Sequence, residues 1–133
     1  MSFFKRVFNN KKKSLPSKID DLDFVISENE LVEKFSKLNN ADRMGTIVKY
    51  GDTGDLKYYP LIRYAIKQDT DIHVKFAALK RVHLFKEHPD VVPMLNELKE
   101  RINTELIEPY YSMALSRVGI ISIEEFKDRM NKP

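Results

Sequence analysis

Tyr58, Leu61, Ile62, Ala65 and Ile66 stand at i, i+3, i+4, i+7 and i+8. That spacing puts all five on one face of an α-helix and would scatter them over both faces of a strand. The same period runs through the other long segments. Leu31, Phe35 and Leu38 supply the buried stripe of a helix over about 28–38, opened by a Ser27/Glu30 capping box. Asn39-Asn40 interrupts it, and a second helix over about 41–50 is predicted to stop at Gly51. Asp52-Thr53-Gly54 forms a turn before a third helix over about 55–68, with Pro60 in its first turns. Asp71 caps a fourth over about 72–86, whose inner side carries Val74, Ala77, Ala78, Val82 and Phe85. Asp90 is expected to cap a fifth, with Pro93 at its third position and Leu95, Leu98 and Ile102 facing inward. Ile107, Tyr111, Ala114 and Val118 form the stripe of a sixth, over about 104–118, ended by Gly119. Ser122 and Glu125 open a last short helix over about 122–130, whereas residues 20–26 alternate briefly and read as an extended lead-in. Four glycines in 133 residues argue against a turn-rich β protein and against a glycine-rich phosphate loop. The expected fold is all-α, about six to seven helices in antiparallel pairs.

The pairs recur. Pro60-Leu61-Ile62 returns as Pro93-Met94-Leu95 after 33 positions, and Ala78-Leu79 as Ala114-Leu115 after 36, with Val82 matching Val118 at the same offset. Gly45, Ile47 and Tyr50 precede Ala77, Leu79 and Val82 by 32. One helix-turn-helix per unit of this length is the signature of a short α-solenoid, in which each unit covers its neighbour's apolar face. Gly45, Ala77 and Ala114 are small enough to let successive second helices approach closely.

The stretch Asp69-Thr-Asp71-Ile-His-Val74-Lys75-Phe-Ala77-Ala78-Leu79 resembles the second helix of HEAT-like repeats. Asp69 and Asp71 match that family's acidic turn, Val74 its valine, and Ala77 and Ala78 its small pair. Lys75 stands where the family has arginine, and Arg81 where it has a small residue. The resemblance covers about residues 52–86 best, and it implies a short solenoid that presents a binding surface without naming a ligand.

Charge divides the chain in two. Residues 1–18 hold six basic side chains and no acid, which leaves 17 basic against 20 acidic in the remaining 115. The expected organisation is therefore a basic N-terminal arm, 1–18, followed by a repeat domain, 19–133. Phe3, Phe4, Val7 and Phe8 share one face of a short helix, with Lys5 and Arg6 turned away and Lys11, Lys12 and Lys13 behind. That pattern suits an anionic membrane surface or a partner's groove. Charges interrupt the apolar stretch, which argues against a secretory signal, and Ser2 argues against N-myristoylation.

The residues offer little chemistry. There is no cysteine, and His73, His83 and His88 lack the i, i+3 or i, i+4 spacing of a helical metal site. No nucleophile elbow, Walker loop or dinucleotide fingerprint occurs, and Asp20-Asp21 and Glu124-Glu125 sit at helix starts, where acids favour the dipole. The expectation is a non-enzymatic protein with no cofactor or metal. It would be a cytoplasmic protein-binding module, either an adaptor or an immunity-type protein that neutralises a toxin. One alternative is a scaffold recruited to the membrane surface by its basic arm. A further one, a HEAT-like DNA-binding enzyme, fits poorly with a net-acidic body, and nucleic acid is an unlikely partner on that ground. On a concave face lined by second helices, His73, Lys80, His83 and Glu87 would point outward on successive turns. Tyr59 and Arg63 fall off the core stripe at i, i+4 and form a candidate anchor pair.

Overall fold

The computed structural model describes residues 27–99 and 106–131. Among them are seven α-helices and two 3-10 helices, and no strand. We label the α-helices α1 (Glu28–Ser36), α2 (Asn40–Gly51), α3 (Tyr59–Gln68), α4 (Ile72–Arg81), α5 (Val91–Leu98), α6 (Glu108–Val118) and α7 (Ile123–Met130). The arm, the lead-in over 20–26 and Ile102 lie outside the described residues.

Side chains that satisfy the first free backbone donors set most of the helix starts. Ser27 Oγ accepts from the Glu30 amide at 3.1 Å and Ser122 Oγ from the Glu125 amide at 3.0 Å. Asn39, which the sequence marked only as a breaker, caps α2 by accepting from the Asp42 amide at 2.8 Å. Asp71 Oδ1 receives the amides of His73 and Val74. At the other end of a helix, Gly119 takes the left-handed conformation, φ 93°, and its amide reaches the carbonyls of Leu115 and Ser116.

Four expected boundaries change, the simplest being the start of the sixth helix, at Glu108 instead of about 104. The first turn of the third helix is a 3-10 segment, Leu56–Tyr58, and Pro60 falls in the first turn of α3, where no intrahelical donor is lost. The fourth helix ends at Arg81 instead of 86, and the chain tightens into a 3-10 turn, Val82–Phe85. Pro89 disfavours helical geometry at His88 and cannot supply the next bond, so no helix could continue past this turn. Gly51 is the last residue of α2 and not a left-handed stop beyond it. It is small because Arg81 crosses it: a Cβ there would lie 2.9 Å from Arg81 Cδ and 3.3 Å from Ile62 Cδ1.

The apolar stripes meet in one core. Phe35, Ile47, Leu61, Ile62, Val74, Val82, Phe85 and Leu95 are all buried, as are Ala65, Ala77, Ala78 and Ala114. α1 packs on α3, α2 on α4, α3 on α4, α4 on α6, and α6 on α7. Polar links fix the directions. Arg43, at the start of α2, bonds Asp69, just before α4, while Arg81 at the end of α4 bonds Asp52 at the end of α2. α2 and α4 therefore run parallel and are tied at both ends. Tyr59 and Lys67, near the two ends of α3, reach Asp90 and Glu97 at the corresponding ends of α5. Arg117 donates to the Lys80 carbonyl, bringing the ends of α6 and α4 together. The linked residues are 26, 29, 31, 30 and 37 positions apart, close to the offset at which the sequence motifs recur.

The Arg43–Asp69 pair is deeply placed, its side chains 11% and 1% exposed. Arg43 donates from Nε and Nη2 to the two carboxylate oxygens, from Nη1 to the Leu38 carbonyl at 2.6 Å, and from Nη2 to Asn40 Oδ1. Asp69 Oδ1 also receives the Asp71 amide at 2.8 Å. Removing one partner of such a pair strands the other, and Asp69→Ala is expected to cost about 3 kcal/mol in urea melts. Ala77→Leu should overpack the contact of α4 with its neighbours and cost about 1–3 kcal/mol. His73→Ala, on the exposed side of the same helix, should stay within about 0.5 kcal/mol in the same melts. A reversed ranking of these two would mean that the buried face of α4 is wrongly assigned.

Candidate functional site

The outer side of α4 meets the start of α6 in a short ladder of rings and cations. The Phe76 and Tyr110 rings stack with centroids 4.0 Å apart and planes 14° apart. His73 presents its ring edge-on to Phe76 at 6.0 Å, and Lys80 Nζ lies 5.6 Å from the Tyr110 centroid. His73, Phe76 and Lys80 fall at i, i+3 and i+7, so one helical face delivers all three. Lys80 and Arg117 are exposed, and neither is paired with a carboxylate among the described residues.

His83 follows on the 3-10 turn, half-buried, with an Nδ1 atom that finds no hydrogen-bond partner among the described residues. Burial pushes its ring below the ordinary histidine value; the charges of Arg117 and Lys86 push the same way and the Lys80 carbonyl opposes them. Glu87 does not continue the stripe. It lies in the turn after the 3-10 segment, where the helical period on which its assignment depended has ended.

Tyr59 and Arg63 belong elsewhere. A groove of about 500 Å³ runs between α1 and α3 and reaches the start of α5, and its lining includes Glu28, Val32, Tyr59, Arg63, His88 and Asp90. None of His73, Lys80, His83 and Glu87 takes part in it. Tyr59, expected off the core stripe, is only 2% exposed. Its ring stacks on His88 at 4.1 Å and packs near Phe85 at 6.2 Å, so the flat part of the side chain is core and the hydroxyl alone is directed to a polar partner. That partner is Asp90: Tyr59 Oη donates to Oδ2 at 2.7 Å, and Arg63 Nε donates to the same oxygen at 2.9 Å.

Asp90 stands at the N-cap of α5 but caps nothing with its side chain, because the carboxylate is turned to Tyr59 and Arg63. Its amide instead donates to His88 Nδ1 at 3.1 Å, which places the proton of the neutral imidazole on Nε2. The other cation in the groove is also occupied, since Lys67 Nζ contacts Glu97 Oε1 at 2.6 Å.

The structure thus separates the six expected surface residues into two places: His73, Lys80 and His83 along α4 and its 3-10 extension, Tyr59 and Arg63 in the groove, with Glu87 in a turn. Phe76 and Tyr110 complete the first place, and His88 and Asp90 the second. Phe76 was findable, since it lies between His73 and Lys80 on one helical face. The Tyr59–Asp90 bond joins residues 31 apart and has no local signal. Among the described residues, no group of three or more His, Asp and Glu side chains converges as a metal site would need, and no helix is long and apolar enough to cross a membrane. The arm residues Phe3, Phe4, Lys5, Arg6, Phe8, Lys11, Lys12 and Lys13 lie outside the described residues. No family model, curated protein or solved structure matches this chain.

The Tyr59 hydroxyl yields a pH signature. Burial raises its pKa well above the ordinary tyrosine range, and the bond to Asp90 and that carboxylate's charge raise it further, against a smaller opposing effect of Arg63. In the unfolded chain the phenol loses its proton near pH 10, while the native state still holds it. The native state then binds more protons, so stability attributable to this group is complete below about pH 10 and falls as pH rises beyond it. Tyr59→Phe removes that dependence. Chemical melts at pH 8 and above pH 10 should show a smaller alkaline loss for the variant than for the wild type; equal losses would mean that the Tyr59 hydroxyl is not held buried in the native state.

Proposed function

We propose that the chain is a non-catalytic protein-binding module, built as a short HEAT-like helical repeat, that engages its partner through the α4/α6 face. The observation that carries this reading is the ladder itself. A half-buried stacked aromatic pair stands beside an exposed lysine, whose carbonyl holds an exposed arginine, and neither cation has a carboxylate partner among the described residues. Aromatic side chains and arginine are the groups that dominate protein–protein hot spots, and Lys80 links the two here. The parallel placement of α2 and α4, with α6 packed on α4, supports the repeat part of the proposal, and in such arrays second helices line an extended binding surface. A cytoplasmic adaptor and an immunity-type protein that covers a toxin's active site are both compatible with such a face.

A photo-crosslinking amino acid at position 73, exposed on the same face of α4, tests the reading, with the same probe at position 127 on α7 as control. From native lysate, position 73 is expected to give a discrete protein adduct that position 127 does not, and Tyr110→Ala should reduce its yield. Recovery of nucleic acid alone, or equal adducts at both positions, would overturn the proposal.

A further inference from the structure

The α4/α6 face holds the one arginine of the described residues that no carboxylate meets. Arg43 meets Asp69, Arg63 meets Asp90, Arg81 meets Asp52, and Arg129 meets Glu125. Arg117 meets none among the described residues, nor does Lys80, to which it is fixed. Arg117 Nη1 is anchored on the Lys80 carbonyl at 3.1 Å, which leaves other N–H groups of the guanidinium free to form the two-pronged contact that carboxylates accept. Lys86 adds a third positive charge close enough to affect His83. The apolar part of the face is equally particular. Phe76 and Tyr110 each cover one face of the other, and the His73 ring edge and the Lys80 ammonium border the pair. Single-stranded nucleic acid needs open ring faces on which bases stack, and this arrangement takes up part of that surface. An apolar side chain needs only the exposed ring edges.

We propose that the occupant of the α4/α6 face is an acidic segment of a partner protein, its carboxylates set against Lys80 and Arg117 and an apolar side chain set against the edge of the Phe76–Tyr110 stack. This rests on the protein-binding reading above and adds the chemistry of the partner. Complementary charge would speed the encounter and fix its register, while the aromatic pair supplies the contact that excludes water. The chain's own net-acidic body would discourage the same segment from settling elsewhere.

The test uses the full chain, isotope-labelled, and four probes: a short peptide rich in Glu and Asp with a central Leu, its Gln/Asn counterpart, a Lys-rich peptide, and an oligothymidine. The acidic peptide is expected to shift the amide resonances of Phe76, Lys80, Tyr110 and Arg117, and to bind more weakly as salt rises. The Gln/Asn and Lys-rich peptides should leave those resonances in place. Lys80→Glu with Arg117→Glu should weaken the acidic peptide roughly tenfold, and the milder Lys80→Gln with Arg117→Gln should reproduce most of that loss. Tighter binding of the oligothymidine at equal ionic strength would overturn the proposal, as would no shift at those amides with the acidic peptide. The crosslinked adduct separates the two levels. If Tyr110→Ala reduces it and the charge reversal does not, the acidic occupant is wrong and protein binding stands; if neither variant affects it, both fall.

Discussion

Arg43 and Asp69 meet where three parts of the chain converge: the loop after α1, the first turn of α2, and the turn that leads into α4. One guanidinium satisfies the Leu38 carbonyl, the Asn40 side chain and both oxygens of Asp69, and Asp69 in turn orders the Asp71 amide. A charge so far from water is tolerable only when most of its hydrogen-bonding capacity is used. The contact therefore admits very few arrangements of the segments around it. It sets where α2 begins relative to α4, and the Arg81–Asp52 pair matches the two helices again at the opposite end. The face formed by α4 and α6 is displayed by a helix whose own position has been fixed from behind.

Two kinds of polar group are therefore at work in this small domain. One kind is enclosed and consumed: the Tyr111 hydroxyl on the Leu95 carbonyl, the Tyr59 hydroxyl on Asp90, Arg43 on Asp69. These tie α6 to α5, α3 to the start of α5, and α2 to the α4 turn. The other kind is anchored through the backbone but left open at its charged end, as at Arg117. The first kind gives the molecule a single arrangement; the second leaves hydrogen-bonding capacity unspent at its surface.

Local pattern made most of the helices legible. The stripe at Tyr58, Leu61, Ile62, Ala65 and Ile66 is buried throughout, and Ser27 and Ser122 cap their helices as read, though Glu125 turns to Arg129; these signals act within a turn or two of the chain. What pattern could not supply was any decision between neighbours that only meet after folding. Asp90 looked like a cap because it precedes a helix, yet a tyrosine and an arginine from α3 compete for its carboxylate and win. Tyr59 looked exposed because it falls outside a narrow stripe, yet His88 arrives from the turn before α5 to cover its ring. Glu87 was placed by extending a period across a point where the backbone tightens. The candidate face was legible to the extent that it lies on one helix, through His73 and Lys80; its α6 half, Tyr110 and Arg117, belongs to a neighbour that the helical period of α4 cannot identify.

Gly51 and Arg81 carry a consequence for how this chain can change. The absent side chain at 51 and the long one at 81 occupy a single volume, shared across two parallel helices. Neither residue's identity makes sense alone: a side chain at 51 would have to displace the arginine, and a small residue at 81 would open a void over Gly51 and release Asp52 from its partner. The two positions form one steric unit. Divergent descendants of this sequence would be free to exchange the roles, with bulk on α2 and a small residue on α4, but only by passing through an intermediate that is either crowded or hollow. That barrier protects the pairing of the two helices, and it would leave in any lineage a correlated pair 30 residues apart where each position alone looks arbitrary.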